Sequence, residues 1–260
     1  MMLTEVRGLV IRTVDIKETD RLITIFTQQM GAVTALARGA RSLKSRKMAA
    51  TMQFCYSDFV LFQRGDKYEV RDVSLIESFF DIRRSIESLA LSNYIAEILS
   101  DVTIAEEDTE LLRLSLNSLY AISTGKYAVE KVKAVFEIRA AAILGFMPEV
   151  LACHGCDERL GEFYFDIMGG ILKCAACHKR EERLKLDPED PHESRIIAIL
   201  SEGAKIAIGY AIHSPMEKIF SFNISDDDMK LMSRATESYL LNQLGHGFKT
   251  LDFYKEICYR

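Results

Sequence analysis

Four cysteines constrain this chain most. They form Cys153-His154-Gly155-Cys156, then seventeen residues, then Cys174-Ala175-Ala176-Cys177. Two Cys-x-x-Cys pairs at this separation match a structural zinc site. Zn²⁺ takes four thiolates in a tetrahedron, and each pair offers two sulfurs from one knuckle. The residues between must leave one knuckle and return to the other. Phe163–Ile167 and Ile171–Lys173 read as two short strands. Met168-Gly169-Gly170 supplies the turn, because glycine adopts φ > 0 without steric cost. The pattern is that of a zinc ribbon.

Other readings compete with it. Two disulfides would suit an exported chain, and nothing here points to secretion. A redox Cys-x-x-Cys needs no twin. Catalytic zinc has three protein ligands and an open position for water. His154 and His178 each adjoin a cysteine, so a Cys/His exchange stays open. The expectation is one structural Zn²⁺ held by Cys153, Cys156, Cys174 and Cys177.

A chain of 260 residues suggests two or three small domains. With 48% hydrophobic and 27% charged residues, it has an ordinary soluble composition. No apolar run reaches the roughly 18 residues of a membrane span, so no membrane partner is expected. Met1-Met2-Leu3-Thr4-Glu5-Val6 lacks the basic segment and apolar core of a signal peptide. Six cysteines without export signals point to a reducing cytoplasm. Cys55 and Cys258, outside the motif, read as small buried apolar residues.

The net charge of −5 is unevenly spread. Residues 1–80 hold 12 Lys/Arg against 9 Asp/Glu, and residues 81–260 hold 21 against 29. No acidic residue occurs between Asp20 and Asp58. A polyanion would favour the N-terminal part.

Strand signals dominate the first eighty residues. Val6–Val14, Leu22–Thr27, Gly31–Ala37, Met52–Phe62 and Tyr68–Ile76 are rich in β-branched and aromatic residues. Gly8 reads as a bulge or a point of close approach. Five short strands suit a small closed barrel, since closure removes sheet edges, and the OB-fold is the leading candidate. Between the third and fourth strands, five of the ten residues 38–47 are basic: Arg38, Arg41, Lys44, Arg46 and Lys47. Mobile cations of this kind bind phosphates by releasing condensed counterions. Arg12, Lys17 and Arg21 extend the expected DNA-binding face. Neighbouring aromatics could stack on bases, but Phe26, Phe54, Phe59 and Phe62 suit the core better.

From Asp81 the period becomes 3.6. Ile82, Ile86, Leu89, Asn93 and Ala96 define one helical stripe. Leu112, Ser115, Leu116 and Leu119 define a second, capped by Asp108 or Thr109. Val129, Val132, Phe136, Ala140 and Ile143 form a third, ending at Gly145 and Pro148. Beyond the ribbon, Asp190, Pro191 and Glu193 form a helix start, with Ile197, Leu200, Ala204 and Ile208 on one face. Ser225-Asp226-Asp227-Asp228 caps a last long helix through Met229, Met232, Ala235 and Tyr239 to Gly245. Phe248–Tyr254 alternates weakly and packs back on the bundle. The expected architecture is an α+β multidomain chain. It has an OB-fold over residues 1–80, an all-α domain over 81–149 and 181–260, and a zinc ribbon inserted at 150–180.

Catalytic signatures are missing. Gly125-Lys126 lacks the upstream glycine of a phosphate loop and is followed by Tyr127. No histidine has Glu two residues later, as a nucleobase deaminase requires. No Gly-x-Ser-x-Gly elbow occurs. The chain is expected not to be an enzyme.

The motif order resembles the bacterial RecO family of recombination mediators. The resemblance is carried by Gly8-Leu9-Val10-Ile11, Glu18–Thr27, Gly31, Ala37-Arg38-Gly39-Ala40-Arg41, and Lys44-Ser45. Phe136-Glu137-Ile138-Arg139 leading to Leu144-Gly145 resembles the family's central helix, and the four cysteines fit its zinc-bearing members. Departures occur at Gln53-Phe54, where members often have proline, and near Ile16, where they have an aromatic. The resemblance implies binding of single- and double-stranded DNA and annealing of complementary strands. It implies action with RecR to load RecA onto DNA coated by single-strand binding protein, at the nucleoid of a bacterial cytoplasm. It also implies contact with that binding protein's acidic C-terminal tail, for which Lys131, Lys133 and Arg139 are candidates. The alternative is a zinc-ribbon scaffold that binds RNA or an acidic protein in transcription or translation.

Overall fold

A computed structural model describes residues 2–102, 109–184 and 195–258. Its strands are β1 (Met2–Ile16), β2 (Asp20–Thr27), β3 (Gly31–Ala37), β4 (Cys55–Arg64), β5 (Lys67–Ser78), β6 (Phe163–Asp166), β7 (Ile171–Cys174) and β8 (Ile197–Leu200). Its helices are α1 (Lys47–Ala50), α2 (Ile86–Asp101), α3 (Thr109–Thr124), α4 (Val129–Ile143), α5 (Ala175–Leu184), α6 (Glu202–His213), α7 (Asp226–Leu244) and α8 (Lys249–Cys258). The chain divides into two compact units, Met1–Lys126 with Phe248–Arg260, and Tyr127–Gly247.

In the first unit, five strands close a barrel in the order β1-β2-β3-β5-β4. β1 pairs antiparallel with both β2 and β4. A short parallel contact, Ala35 to Tyr68 and Leu36 to Glu69, closes the ring. This is the expected OB-fold. Period-two burial builds its core: Val33, Ala35 and Ala37 face inward from β3, meeting Val6, Val10, Ile23, Ile25, Phe59 and Leu61. Gly8 is a close-approach point. A Cβ there would lie 2.4 Å from Ile25 Cγ2 and 2.8 Å from the Phe26 carbonyl. The bulge comes later, where the β1–β2 register slips between Val10 and Arg12. Phe26, Phe54 and Phe59 are buried in the core as expected, and Phe62 is half-buried.

The first helical stripe departs from expectation. Ile86 is 56% exposed, while Ala90, Leu91, Tyr94, Ile95, Ile98 and Leu99 are buried. The reason is Ser85, which is extended and caps α2 by accepting the Ser88 N–H at 3.2 Å. A 3₁₀ turn, Phe80–Arg84, precedes it, so Ile82 and Ile86 never share one helix face. In α3, Leu112, Ser115 and Leu119 are buried as expected; Asp108 lies outside the described residues. The tail is helical, not alternating. Phe248, Leu251 and Tyr254 recur at helical spacing and are buried, and Phe248 meets Tyr94 edge-on at 5.7 Å.

In the second unit, α4 is buried on nearly all sides and ends at Gly145, whose φ is +94°. Ser225 caps α7 by accepting the Asp228 N–H at 3.1 Å, with Asp226, Asp227 and Asp228 in the first turn, as expected. β6 and β7 form the expected hairpin. The helix expected from Asp190 is corrected in part: Asp190, Pro191 and Glu193 lie outside the described residues, but Ile197 and Leu200 form β8. Leu200 pairs with Phe163 and Ala198 with Phe165, so the sheet runs β7-β6-β8. The run Ile196-Ile197-Ala198-Ile199-Leu200 has β-branched character, and Ser201 then caps α6 by accepting the Ala204 N–H at 3.1 Å.

Candidate metal centre and nucleic-acid interface

The Sγ atoms of Cys153, Cys156, Cys174 and Cys177 all lie within 4.8 Å of one another. Cys156 and Cys174 are 3.6 Å apart. A tetrahedral metal with thiolates at about 2.3 Å asks for sulfur separations of about 3.8 Å. The four sulfurs therefore fit a metal. The hairpin brings the knuckles together because Cys174 ends β7, opposite Phe163, while Cys153 approaches the same strand: the His154 N–H donates to the Leu172 carbonyl at 2.8 Å. Backbone amides already point at sulfur. Cys174 N–H donates to Cys153 Sγ at 3.2 Å and Gly155 N–H at 3.4 Å. Arg180 Nη2 donates to Cys177 Sγ at 3.6 Å.

Electrostatics make a cation the natural complement. Burial pushes the Cys153 thiol up, but the amides of Cys174 and Gly155 outweigh it and bring it down to about 6. Cys177, hydrogen-bonded to Cys156 and buried beside the other sulfurs, is pushed up to about 12. Four thiolates this close need a positive charge between them. Neither histidine joins the cluster. His154 Nδ1 pairs with Glu149 at 3.1 Å, and His178 stacks on Tyr164 at 4.0 Å.

At one end of the barrel, the β1–β2 turn and the β3–β4 connection are bonded together. Arg41 Nη1 donates to the Lys17 carbonyl at 2.8 Å, and the Arg41 N–H to the Thr19 carbonyl at 2.9 Å. The Gly39 N–H donates to Asp20 Oδ1 at 2.9 Å, which holds that carboxyl below its usual range. The fold thus gathers Lys17, Arg21, Arg38 and Arg41. Sequence reasoning missed the carboxylates that organise them. Asp15 receives Arg21 Nε at 3.0 Å and Arg41 Nε at 3.2 Å, and Glu69 receives Arg38 Nε at 3.0 Å. Lys47 lies in α1 and donates to the Val70 carbonyl at 2.7 Å, so it braces β5. Arg12, Lys17, Lys44 and Arg46 are exposed.

On α4 the three tail candidates differ. Lys133 is fully buried and ion-paired with Glu137 and Glu237, at 2.8 Å each. Lys131 is half-buried, with Nζ 4.1 Å from the Phe222 ring centroid and 5.2 Å from that of Tyr127. It donates to the Phe222 carbonyl, and burial lowers its pKa. Arg139 is half-buried, and its Nε has no hydrogen-bond partner among the described residues.

A five-stranded barrel with a cationic end belongs to the OB class, whose members bind oligonucleotides and oligosaccharides. Comparison with known proteins narrows this. Residues 1–79 match the family described as Recombination protein O N terminal, and residues 83–252 match Recombination protein O C terminal. The chain belongs to this family of DNA repair proteins. The DNA repair protein RecO of Acetivibrio thermocellus is 35% identical over 253 residues, covering 96% of this chain and 95% of that one. That of Caldicellulosiruptor saccharolyticus is 29% identical over 259 residues, covering 99% and 100%. That of Clostridium acetobutylicum is 25% identical over 257 residues, covering 97% of each. The resemblance in the sequence motifs is borne out, as is the OB-fold. No helix among the described residues is long and apolar enough to cross a membrane.

Proposed function

We propose that the protein is a non-catalytic recombination mediator of the bacterial cytoplasm, associated with the nucleoid. It binds single- and double-stranded DNA without sequence preference and anneals complementary strands. With RecR it loads RecA onto DNA coated by single-strand binding protein. The observation that carries this reading is the bonded union of the β1–β2 turn with the β3–β4 connection. It sets Lys17, Arg38 and Arg41 at one end of an OB barrel, continued along the same connection by the exposed Lys44 and Arg46. Phosphates would exchange with the exposed carboxylate partners of Arg38 and Arg41, since such surface pairs contribute little. Arg12 and Arg21 extend the face, and Lys47 supports it from beneath.

The metal we assign to Cys153, Cys156, Cys174 and Cys177 is one structural Zn²⁺, since four thiolates leave no open position for water. Bound there, it supplies folding free energy rather than chemistry. The acidic tail of single-strand binding protein would meet Lys131 and Arg139, while Lys133 serves the core.

A strand-annealing assay in the presence of single-strand binding protein tests the function. The expected result is faster annealing by the intact protein, and no acceleration would contradict it. Competition among single-stranded DNA, RNA and a tail peptide separates it from an RNA- or protein-binding scaffold. Metal analysis of protein purified without chelator is expected to give one zinc per chain.

A further inference from the structure

Lys205, in the first turns of α6, is only 5% exposed. Its ammonium faces the ribbon. It donates to the Arg159 carbonyl and, at 3.4 Å, to the Leu151 carbonyl. These two carbonyls flank the first Cys-x-x-Cys turn, one on each side. The ammonium also lies 4.6 Å from the centroid of the buried Phe163 ring. Phe163 pairs in the β6–β7 ladder with Cys174, a member of the second Cys-x-x-Cys. One cation therefore touches the frames of both knuckles. Glu202, three residues earlier on the same helix, adds a second grip: its Oε2 accepts the Gly161 N–H at 2.9 Å. A buried ammonium needs compensating partners: here its hydrogen bonds go to two carbonyls and it sits over a ring, with the Glu202 and Glu158 carboxylates attracting it through space.

We propose that Lys205 is a positioning residue for the metal centre, holding the two Cys-x-x-Cys turns in mutual register so that metal retention depends on it. This rests on the zinc reading of the four cysteines. It also means that the ribbon is not a self-contained insert. Its third strand and its clamp both come from the chain that follows it. Burial lowers the Lys205 pKa, in keeping with an ammonium enclosed by the fold rather than solvated.

The test compares wild type with Lys205→Met and Lys205→Arg as intact, zinc-loaded proteins. Groups supporting a metal site typically alter affinity by about 10–100-fold when removed. Lys205→Met should release zinc to a chromogenic chelator at least about tenfold faster, with Lys205→Arg recovering most of the loss. The rise in melting temperature from chelator-treated to zinc-loaded protein should also shrink in Lys205→Met. A merely structural residue would lower both forms equally and leave that rise unchanged. Unaltered zinc release, or an unaltered rise, overturns the proposal. Should Lys205→Met fail to fold, lysine-reactive labelling of wild type, read by mass spectrometry, decides. Lys205 should be protected when zinc is bound and labelled several-fold faster after chelation; equal protection in both states overturns the role. If wild type binds no zinc at all, the metal reading itself fails, and this inference falls with it.

Discussion

Arg41 donates its Nη1 to the carbonyl of Lys17 at 2.8 Å, across 24 positions of sequence. That bond fixes the basic connection against the β1–β2 turn. It turns a charge-rich segment into one end of a barrel with cations from two loops. OB-folds hold oligonucleotides with their β1–β2 and β4–β5 loops, and the first of these is the turn that Arg41 anchors.

Asp15 limits the charge of this end by pairing with Arg21 and Arg41. Asp15→Asn should free both guanidiniums for phosphate while leaving the half-exposed turn folded. Fluorescence anisotropy with labelled single-stranded DNA should show binding about two- to fivefold tighter at low salt, and the gain should fade as salt screens it. Weaker binding would mean that Asp15 orients the arginines rather than competing for them.

Lys133 is the opposite case, a cation that the fold has withdrawn from solvent. Lys133→Met would leave Glu137 and Glu237 without their ammonium between α4 and α7. Removing one member of a buried ionic group costs about 3–5 kcal/mol. Urea unfolding should show that loss, and tail-peptide binding at temperatures where the variant stays folded should be unchanged.

The barrel and the four-sulfur cluster were legible in the sequence, and the reasons are physical. β-branched runs separated by turns have few alternatives to a closed sheet, and β3 was read to its exact ends. Cysteine spacing encodes the sulfur cluster directly. What escaped were features set by tertiary context. β8 looked helical because Ile197, Leu200, Ala204 and Ile208 share a helical period, yet strand pairing with β6 overrode it. Lys133 looked like a surface cation because nothing local announces that Glu237, about a hundred residues on, will meet it. Lys205 gave no signal at all, since its partners are backbone carbonyls, which carry no sequence identity.

Glu181 connects α5 to the ribbon through Lys173 and, at 2.6 Å, Arg195. Its hydrogen bond from Lys173, with help from Arg195, brings its pKa down to about 2. A carboxyl depressed in the folded state stabilises above its unfolded value of about 4.3 and loses that contribution as pH falls toward 2. In chelator-treated protein, calorimetry of Glu181→Gln should show a loss of about 1–2 kcal/mol at pH 7, after discounting for partial exposure. The variant's stability should also fall less steeply than wild type's between about pH 4.3 and 2. Parallel acid curves for the two proteins would contradict this.

Gly8 tests the barrel independently of charge. Gly8→Ala places a methyl against Ile25 and the Phe26 carbonyl, and the backbone cannot step aside as a flexible side chain would. Overpacking of this kind costs about 1–3 kcal/mol. Chemical denaturation should report it, with the β1–β2 pairing the first to loosen in hydrogen exchange.

The most direct test of the central claim is the salt dependence of DNA binding by Arg38→Gln/Lys44→Gln/Arg46→Gln against wild type. The logarithm of affinity falls linearly with the logarithm of salt, with about 0.7–0.9 units of slope per phosphate contact. Neutralising three contacts should make the slope shallower by about two to three units and weaken binding to all sequences alike. A slope equal to wild type's would remove this end of the barrel from the DNA interface.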